Sequence, residues 1–219
     1  MRDSIHRIVS KGSSSVLLQL AARIGNAKDK SASQLFPVEA PSVNLVEVSM
    51  AQIMTGVVLN ANDWERLNPR VKCIVVKACS GYESDALDLS RFVELEALQI
   101  GNNCFLSVSK VHIVGLAKLK SITVGESAFQ GNQSDAELVI QNCPSLVSLT
   151  IGTLSFCQYK RMRLSGLNAL ETITVEGGCF REGDLIVRNM MNLFSISLGV
   201  LCFERSRHTV IESVSLKKG

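Results

Sequence analysis

Five segments of the chain repeat one pattern at intervals of about two dozen residues. They begin at Leu87, Val111, Leu138, Met162 and Leu185, and subtraction gives spacings of 24, 27, 24 and 23 residues. Each segment reads apolar-x-apolar, a short polar turn, and then Leu-x-x-apolar-x-apolar. A fixed period of 20 to 30 residues is typical of a solenoid, in which each unit packs only on its neighbours. The repeat therefore predicts one elongated domain.

The alternation within each unit predicts two strands. The apolar-x-apolar pair has the period of two that places side chains on one face of a strand, and the second apolar stretch adds another strand. In the second copy we expect Leu116, Leu119, Ile122 and Val124 to face the core. The fold class predicted is mainly β, a right-handed β-solenoid.

A glycine and a phenylalanine follow the second strand of most copies. The glycines at 101, 125, 152 and 199 are expected to adopt positive φ in a tight turn, which glycine tolerates. A Phe stands four residues after each glycine position, and we predict that these rings form a stacked ladder inside the solenoid. The ladder residues are Phe105, Phe129, Phe156, Phe180 and Phe203.

The repeat resembles a known class of leucine-rich repeats. The segments ALQIGNNCF at 97–105, SITVGESAF at 121–129 and SLTIGTLSF at 148–156 are similar to repeats of the bacterial-surface-antigen-like type, which occur in large protist families. The resemblance covers roughly residues 63–216. It implies a β-solenoid of leucine-rich repeats that contacts other proteins rather than catalysing a reaction. The asparagine ladder of typical leucine-rich repeats is missing, which favours a stacked β-solenoid over a regular horseshoe.

Residues 1–42 differ in composition from the rest, being rich in serine and basic. Leu17, Leu20, Ala21 and Ile24 would share one face of a short helix. Three interpretations stay open for this N-terminal extension. It is a helix that caps an exposed end of the solenoid, a mitochondrial targeting peptide, or a flexible tail.

Residues 43–86 form an atypical repeat region, and residues 87–219 hold the five clear copies plus a truncated last one. In the atypical region VNLVEV predicts a strand and MAQIM a helical turn, while RVKCIVVKACSGY is a degraded copy whose first strand, near Asp63, is poor. In the truncated copy, Ile211, Val214 and Leu216 are expected to form the second strand of a unit.

The composition excludes several classes of protein. A net charge of +3 is too small for the dense basic face that nucleic acid requires, and no apolar run reaches the roughly 20 residues needed to cross a bilayer. Most of the seven cysteines occupy positions where other copies carry Ala, Ser or Gly, so we expect free structural thiols in a reducing compartment. The predicted location is cytoplasmic, or mitochondrial if residues 1–42 are a targeting peptide.

No catalytic or cofactor motif is evident in the sequence. His6, His112 and His208 lie far apart in the repeat frame, without a neighbouring carboxylate or cysteine that suggests a metal site or triad. Nucleophile-elbow, phosphate-loop and dinucleotide-binding signatures are lacking. We predict that the chain is not an enzyme and uses no cofactor or metal. Basic residues from Lys160 to Arg207 could form a weak basic patch, although the interspersed acids favour a mixed surface.

The outward positions of the two strands differ in chemistry. Those of the second strand are mostly Ser and Thr, whereas those of the first strand vary from unit to unit. Variation along one face is typical of a specific contact surface, so we predict a protein-binding face there. Its candidate residues are Asp88, His112, Gln141, Arg163 and Arg188.

The leading functional hypothesis is a non-catalytic scaffold or protein-interaction module with an unidentified protein partner. The first alternative is a structural subunit, or a fragment of a larger repeat protein, that associates with itself end to end. The second is a carbohydrate-active enzyme on a β-helix. That class would require clustered charged residues on adjacent coils, and the second-strand rows carry Ser and Thr instead.

Overall fold

The structure is a computed structural model that describes residues 3–10, 55–80 and 82–216. These residues form a parallel β-solenoid of about six turns, built from two sheets. The predicted helix around Leu17–Ile24, the strand in VNLVEV and the turn in MAQIM lie outside the described residues. No helix in the described part of the chain could span a lipid bilayer.

From Cys73 onward, successive strands of the chain alternate between the two sheets, whereas the strands Thr55–Asn60 and Cys73–Ser80 both lie in the same sheet. Sheet A contains β1 (Asp3–Ser10), β4 (Ala86–Asp88), β6 (Lys110–Val114), β8 (Glu137–Gln141), β10 (Arg161–Ser165), β12 (Asp184–Leu193) and β14 (Thr209–Leu216). Sheet B contains β2 (Thr55–Asn60), β3 (Cys73–Ser80), β5 (Ala97–Ile100), β7 (Ser121–Val124), β9 (Ser148–Ile151), β11 (Thr172–Val175) and β13 (Ser195–Leu198). The short helix α1 covers Ala61–Arg66.

The strands pair in the register that the repeat predicts. Sheet A runs in the order β1-β14-β12-β10-β8-β6-β4, and sheet B in the order β13-β11-β9-β7-β5-β3-β2. Neighbouring strands are parallel, except that β1 pairs antiparallel with β14. In sheet B, Leu98 pairs with Ile122, and Ile122 with Leu149, so equivalent residues form columns. Two strands per unit are thereby confirmed.

The core lies between the two sheets and consists of the repeated apolar positions. The four residues predicted to face inward in the second copy are at most 5% exposed. Two of them, Leu116 and Leu119, lie in the turn before β7. Along β7 itself, buried and more exposed residues alternate, so one face of the strand faces the core. The two turn leucines are therefore part of the core, like the inward residues of the strands.

The predicted phenylalanine ladder is confirmed. Ring centroids of successive ladder residues are 5.3, 4.6, 5.2 and 5.3 Å apart, and the interplanar angles do not exceed 17°. Each of these residues has a φ between 47° and 56°. This left-handed backbone costs a non-glycine residue about 1–2 kcal/mol. Burying a Phe side chain contributes about 1.5–3 kcal/mol, which offsets the backbone cost.

The predicted role of the glycines after the second strand is wrong. Gly101, Gly125, Gly152 and Gly199 do not have positive φ. They are needed because adjacent coils touch there through their backbones. A Cβ built on Gly152 would lie 2.6 Å from the carbonyl oxygen of Gly125, and one on Gly125 would lie 2.8 Å from the carbonyl carbon of Gly101. The left-handed conformation falls instead on later turn residues, such as Leu154 with a φ of 60°.

A helix takes the place of the first strand in the degraded copy. Ile74 and Val76 of β3 pair with Leu98 and Ile100 of β5, as the sequence comparison of the copies predicts. Near Asp63, where the predicted first strand is poor, α1 begins with a capping box in which Asn60 and Asp63 each accept the other's backbone N–H at 3.2 Å. Trp64 of this helix is 6% exposed and belongs to the core.

The last copy differs from the prediction. Ile211, Val214 and Leu216 were expected to form the second strand of a unit, but they belong to β14, in sheet A. Ile211 pairs with Val187 of β12, which is a first-strand position. Because Ile211, Val214 and Leu216 have the Leu-x-x-apolar-x-apolar spacing of a second strand, the pattern alone assigned them to the wrong sheet.

The backbone contacts of the glycines predict that two Gly→Ala substitutions differ in their effect on the free energy of unfolding. Replacing Gly152 with Ala should reduce the free energy of unfolding by about 3 kcal/mol, because the added carbon overlaps the backbone of the adjacent coil. The control is Gly115→Ala, where φ is 74° and no atom lies within 4 Å of the added carbon, so backbone strain alone should cost about 1–2 kcal/mol. Urea unfolding measures both, and an equal or smaller loss at Gly152 would contradict the contact between coils.

Candidate binding face

The five predicted binding residues lie on one surface, the outer face of sheet A. Asp88, His112 and Arg163 occupy one row, because the strand register places them on equivalent positions of β4, β6 and β10. Gln141 and Arg188 occupy the next row, two residues further along the strands. We call these two rows, which also contain Val114, Val139, Ser165, Ile186 and Glu212, the sheet A face. The structure thus brings the candidate residues together, but in two rows.

An ion cluster lies at the centre of this surface. Oε1 of Glu137 is 3.2 Å from Nε2 of His112, and Oε2 of Glu137 is 3.6 Å from Nη1 of Arg161 and 3.8 Å from Nε of Arg163. The Glu137 side chain is only 18% exposed. Two of the candidate residues, His112 and Arg163, are therefore held in place by one carboxylate.

The sequence analysis missed Glu137. It lies at the start of β8, between the extra residues that lengthen the turn before this strand and Leu138, the first apolar residue of the third copy, whereas the rows compared between copies begin after that apolar residue. The available signal was its position in the same row as Lys110 and Arg161, with opposite charge on the neighbouring strands. Opposite charges on adjacent strands stabilise each other, and this pattern could have indicated the cluster.

Other charges around the sheet A face are also paired within the chain. Nζ of Lys110 is 3.0 Å from Oδ2 of Asp135 in the inserted turn, and this hydrogen bond raises the pKa of Lys110 and lowers that of Asp135. Nε of Arg188 is 2.5 Å from Oε1 of Glu212. The carboxylate of Asp88 accepts the N–H of Ser90 at 2.8 Å, which lowers the pKa of Asp88.

The predicted basic residues do not form a uniform patch. Lys160 and Arg205 both contact Glu182, at 3.2 and 3.5 Å, and Arg161 and Arg163 share Glu137. Acidic side chains therefore separate the basic ones along the later coils. The mixed surface favoured by the sequence is the arrangement that the structure has.

The outer face of sheet B differs from that of sheet A. Two rows of hydroxyl side chains run along it in strand register. One row consists of Ser121, Ser148, Thr172 and Ser195, and the other of Thr123, Thr150, Thr174 and Ser197. These side chains alternate with buried ones along each strand, as predicted. The hydroxyl rows cover β7 to β13 and end there, since the equivalent positions of β5 are Ala97 and Gln99 and those of β3 are Cys73 and Val75.

Four of the seven cysteines lie in the core, where a hydrogen bond with Cys179 lowers the pKa of Cys202, and Cys73, Cys79 and Cys157 are partly exposed. All seven are free, and Cys104, Cys143, Cys179 and Cys202 are buried. Cys104 and Cys179 occupy the same place before a ladder Phe as Ala128 and Ser155. Burial raises the pKa of Cys104 and of Cys143 and raises that of Cys79 to about 11. Thiols with raised pKa values remain protonated at neutral pH and are poor nucleophiles.

The described residues offer no other grouping that points to chemistry. Among them, no three His, Cys, Asp or Glu side chains are placed to hold a metal ion. The space between the two sheets is lined by apolar side chains, including Leu98, Ile113 and Phe129. His112 and His208 lie at the surface, and His6 lies in β1. The sheet A face is therefore the strongest candidate site in this part of the chain.

Comparisons with models of protein families, with characterised proteins and with solved structures gave no significant match to this chain.

The ion cluster leads to a second prediction. Replacing Glu137 with Ala removes the carboxylate shared by His112, Arg161 and Arg163, and should lower the free energy of unfolding by about 1 kcal/mol, because the partly exposed arginines lose the counter-charge that separates them. The matched control is Glu182→Ala, which removes an equally shared but exposed carboxylate and should change stability little. Urea unfolding of both variants tests this, and equal losses would show that the cluster has no special role.

Proposed function

We propose that the chain is a non-catalytic interaction module that binds another protein through the sheet A face. The observation that carries the proposal is the position of Asp88, His112, Gln141, Arg163 and Arg188 in two adjacent rows of one outward surface. The fold requires only the inward residues of these strands to be alike. The outward residues are free to differ, and on sheet A they do.

The charged and apolar side chains of this surface favour a partner segment that also carries both charged and apolar side chains. Basic and acidic groups alternate around partly exposed apolar side chains, and Val114 is 47% exposed. The six strands from β4 to β14 span about 24 Å, and five residues along each strand span about 16 Å. Such a footprint is smaller than the roughly 800 Å² per partner of a standard interface. Contacts with the flanking turns, including the inserted turn at Asp135, would enlarge it.

We also propose that the coils are right-handed and that the units belong to the leucine-rich repeats resembled by the sequence. The right-handed rule for parallel crossovers supports the hand. The repeated Leu of the turn and the Gly-x-x-x-Phe segment support the repeat type. The free thiols support a reducing compartment, for which we propose the cytoplasm.

One observation favours the alternative of end-to-end association. Among the described strands, β13 is the edge strand at the C-terminal end of sheet B, and Val200 beside it is 80% exposed. Unpaired edge strands with apolar side chains tend to pair with other chains. In that case the contact would be made by the end of the solenoid and not by the sheet A face.

Capture experiments with face variants test the main proposal. In the variant H112A/Q141A/R188A the side chains of the sheet A face are truncated, and binding of the captured partner should fall at least tenfold while the fold is kept. The matched control T123A/T174A/S197A truncates three side chains on sheet B and should bind like the unchanged chain. Quantitative mass spectrometry and circular dichroism provide the measurements. Unchanged capture by the sheet A variant, or loss only in the sheet B control, would contradict the proposed site.

A further inference from the structure

The core position just before each ladder Phe is filled by a small side chain. Its occupants, coil by coil, are Cys104, Ala128, Ser155, Cys179 and Cys202. Among the described residues, two thiols follow each other directly at this position only at Cys179 and Cys202. The rings that come next, Phe180 and Phe203, stack 5.3 Å apart with an interplanar angle of 3°. The two cysteines are therefore held in equivalent positions of neighbouring coils.

The two sulfur atoms contact the same short stretch of backbone. Sγ of Cys202 is 2.8 Å from the carbonyl oxygen of Glu176, and Sγ of Cys179 is 3.9 Å from the carbonyl oxygen of Gly177, the next residue along the chain. The N–H of Phe203 donates to the carbonyl of Cys179 at 3.4 Å, so the two coils are also joined at this point. Parallel coils place equivalent Cα atoms about 4.8 Å apart, and a disulfide usually spans about 4.4–6.8 Å between Cα atoms. The pair is thus within reach of a disulfide.

The pair also has the chemistry that thiol oxidation needs. The hydrogen bond from Cys179 lowers the pKa of Cys202 to about 7 and raises the pKa of Cys179. Since the thiolate is the nucleophile, Cys202 reacts first, and Cys179 keeps its proton for the second step. By contrast, burial raises the pKa of Cys104 and of Cys143. Cys202 is 6% exposed and Cys179 is 0% exposed, which favours a small oxidant over a bulky one.

We propose that Cys179 and Cys202 form a modification site for hydroperoxides, at which hydrogen peroxide converts the two thiols into a reversible disulfide. In the first step the thiolate sulfur of Cys202 attacks one oxygen of hydrogen peroxide. An S–O bond forms, the O–O bond breaks, and the departing hydroxide takes up the proton that Cys202 lost. In the second step the sulfur of Cys179 attacks this sulfenic acid, the S–S bond forms, and the S–O bond breaks. The Cys179 proton leaves with that oxygen as water, so two thiols are oxidised and one peroxide is reduced to two water molecules.

The disulfide links the coil of β13 to the coil of β11. Among the described strands, β13 is the edge strand at this end of sheet B, and in a solenoid each coil is stabilised only by its neighbours. Terminal coils therefore open more easily than central ones. A covalent link restricts the open state and so holds this coil on its neighbour. Oxidation thus tightens one end of the solenoid, whatever the sheet A face binds.

Treatment of the full chain with hydrogen peroxide tests the site. After the free thiols are blocked with N-ethylmaleimide, mass spectrometry of a digest made without reductant should show the link between Cys179 and Cys202 at least tenfold above a link between Cys79 and Cys104. The latter two cysteines are the matched comparison, because they also interact but do not occupy equivalent positions in their coils. Dithiothreitol should restore both thiols of the proposed pair. A link no stronger than that of the comparison pair, or oxidation of Cys202 to a sulfinic acid in its place, would overturn the proposal.

Hydrogen exchange tests whether oxidation tightens this end of the solenoid. Amide exchange in residues 195–203, measured with reductant added after the quench, should be at least tenfold slower in the oxidised chain than in the reduced one, while exchange in residues 97–105 stays unchanged. The variant C202S removes the link and C104S is its control, since Ser155 shows that this core position accepts a hydroxyl. The slowing should vanish in C202S and persist in C104S. Equal exchange in the oxidised and reduced forms of the unsubstituted chain would overturn the tightening, and this comparison requires no variant to fold.

Discussion

The stacking of equivalent residues at the spacing of parallel strands is the constraint on which the rest of this structure depends. Parallel strands lie about 4.8 Å apart, and every coil is hydrogen-bonded to the next in fixed register. A side chain is therefore packed mainly against its own equivalents in the coils before and after it. A flat ring suits this spacing, and the ladder rings stack 4.6–5.3 Å apart. The same spacing brings the turn backbones into contact, and an added Cβ at Gly125, Gly152 or Gly199 would overlap the backbone of the adjacent coil.

The same register organises the outer surfaces. Because each outward residue is flanked by its equivalents, a change in one coil alters the surface without disturbing the core. Sheet B carries hydroxyls on each strand from β7 to β13, whereas sheet A mixes charges that pair between strands, as Glu137 does with His112 and Arg163. The fold thus leaves the outer surface free to vary while the core stays constant, and the proposed binding function is based on the varied outer face of sheet A.

Much of the architecture could be predicted from periodicity, because the residues that stack in the core occupy the same position in each repeat of the sequence. The two strands per unit, the ladder from Phe105 to Phe203 and the alignment of the candidate residues on one face follow from position in the repeat. The role of glycine could not be predicted, because glycine serves positive φ and close approach alike, and the sequence does not distinguish them. The sheet of β14 was also assigned wrongly, since both strands of a unit alternate with the same period. Glu137 was missed because it precedes the first apolar residue of its copy, whereas the compared rows begin after that residue.

The most direct test of the account is the stability of the chain after removal of one ring from the middle of the ladder. Phe156 stacks on Phe129 and Phe180 and is 1% exposed. The account predicts that Phe156→Ala lowers the free energy of unfolding by about 3–5 kcal/mol in urea. The exposed Leu106 provides the matched control, for which Leu106→Ala should cost far less. A loss below about 1 kcal/mol for Phe156→Ala would contradict a core built on stacked rings, since burial of a Phe side chain alone contributes more than that.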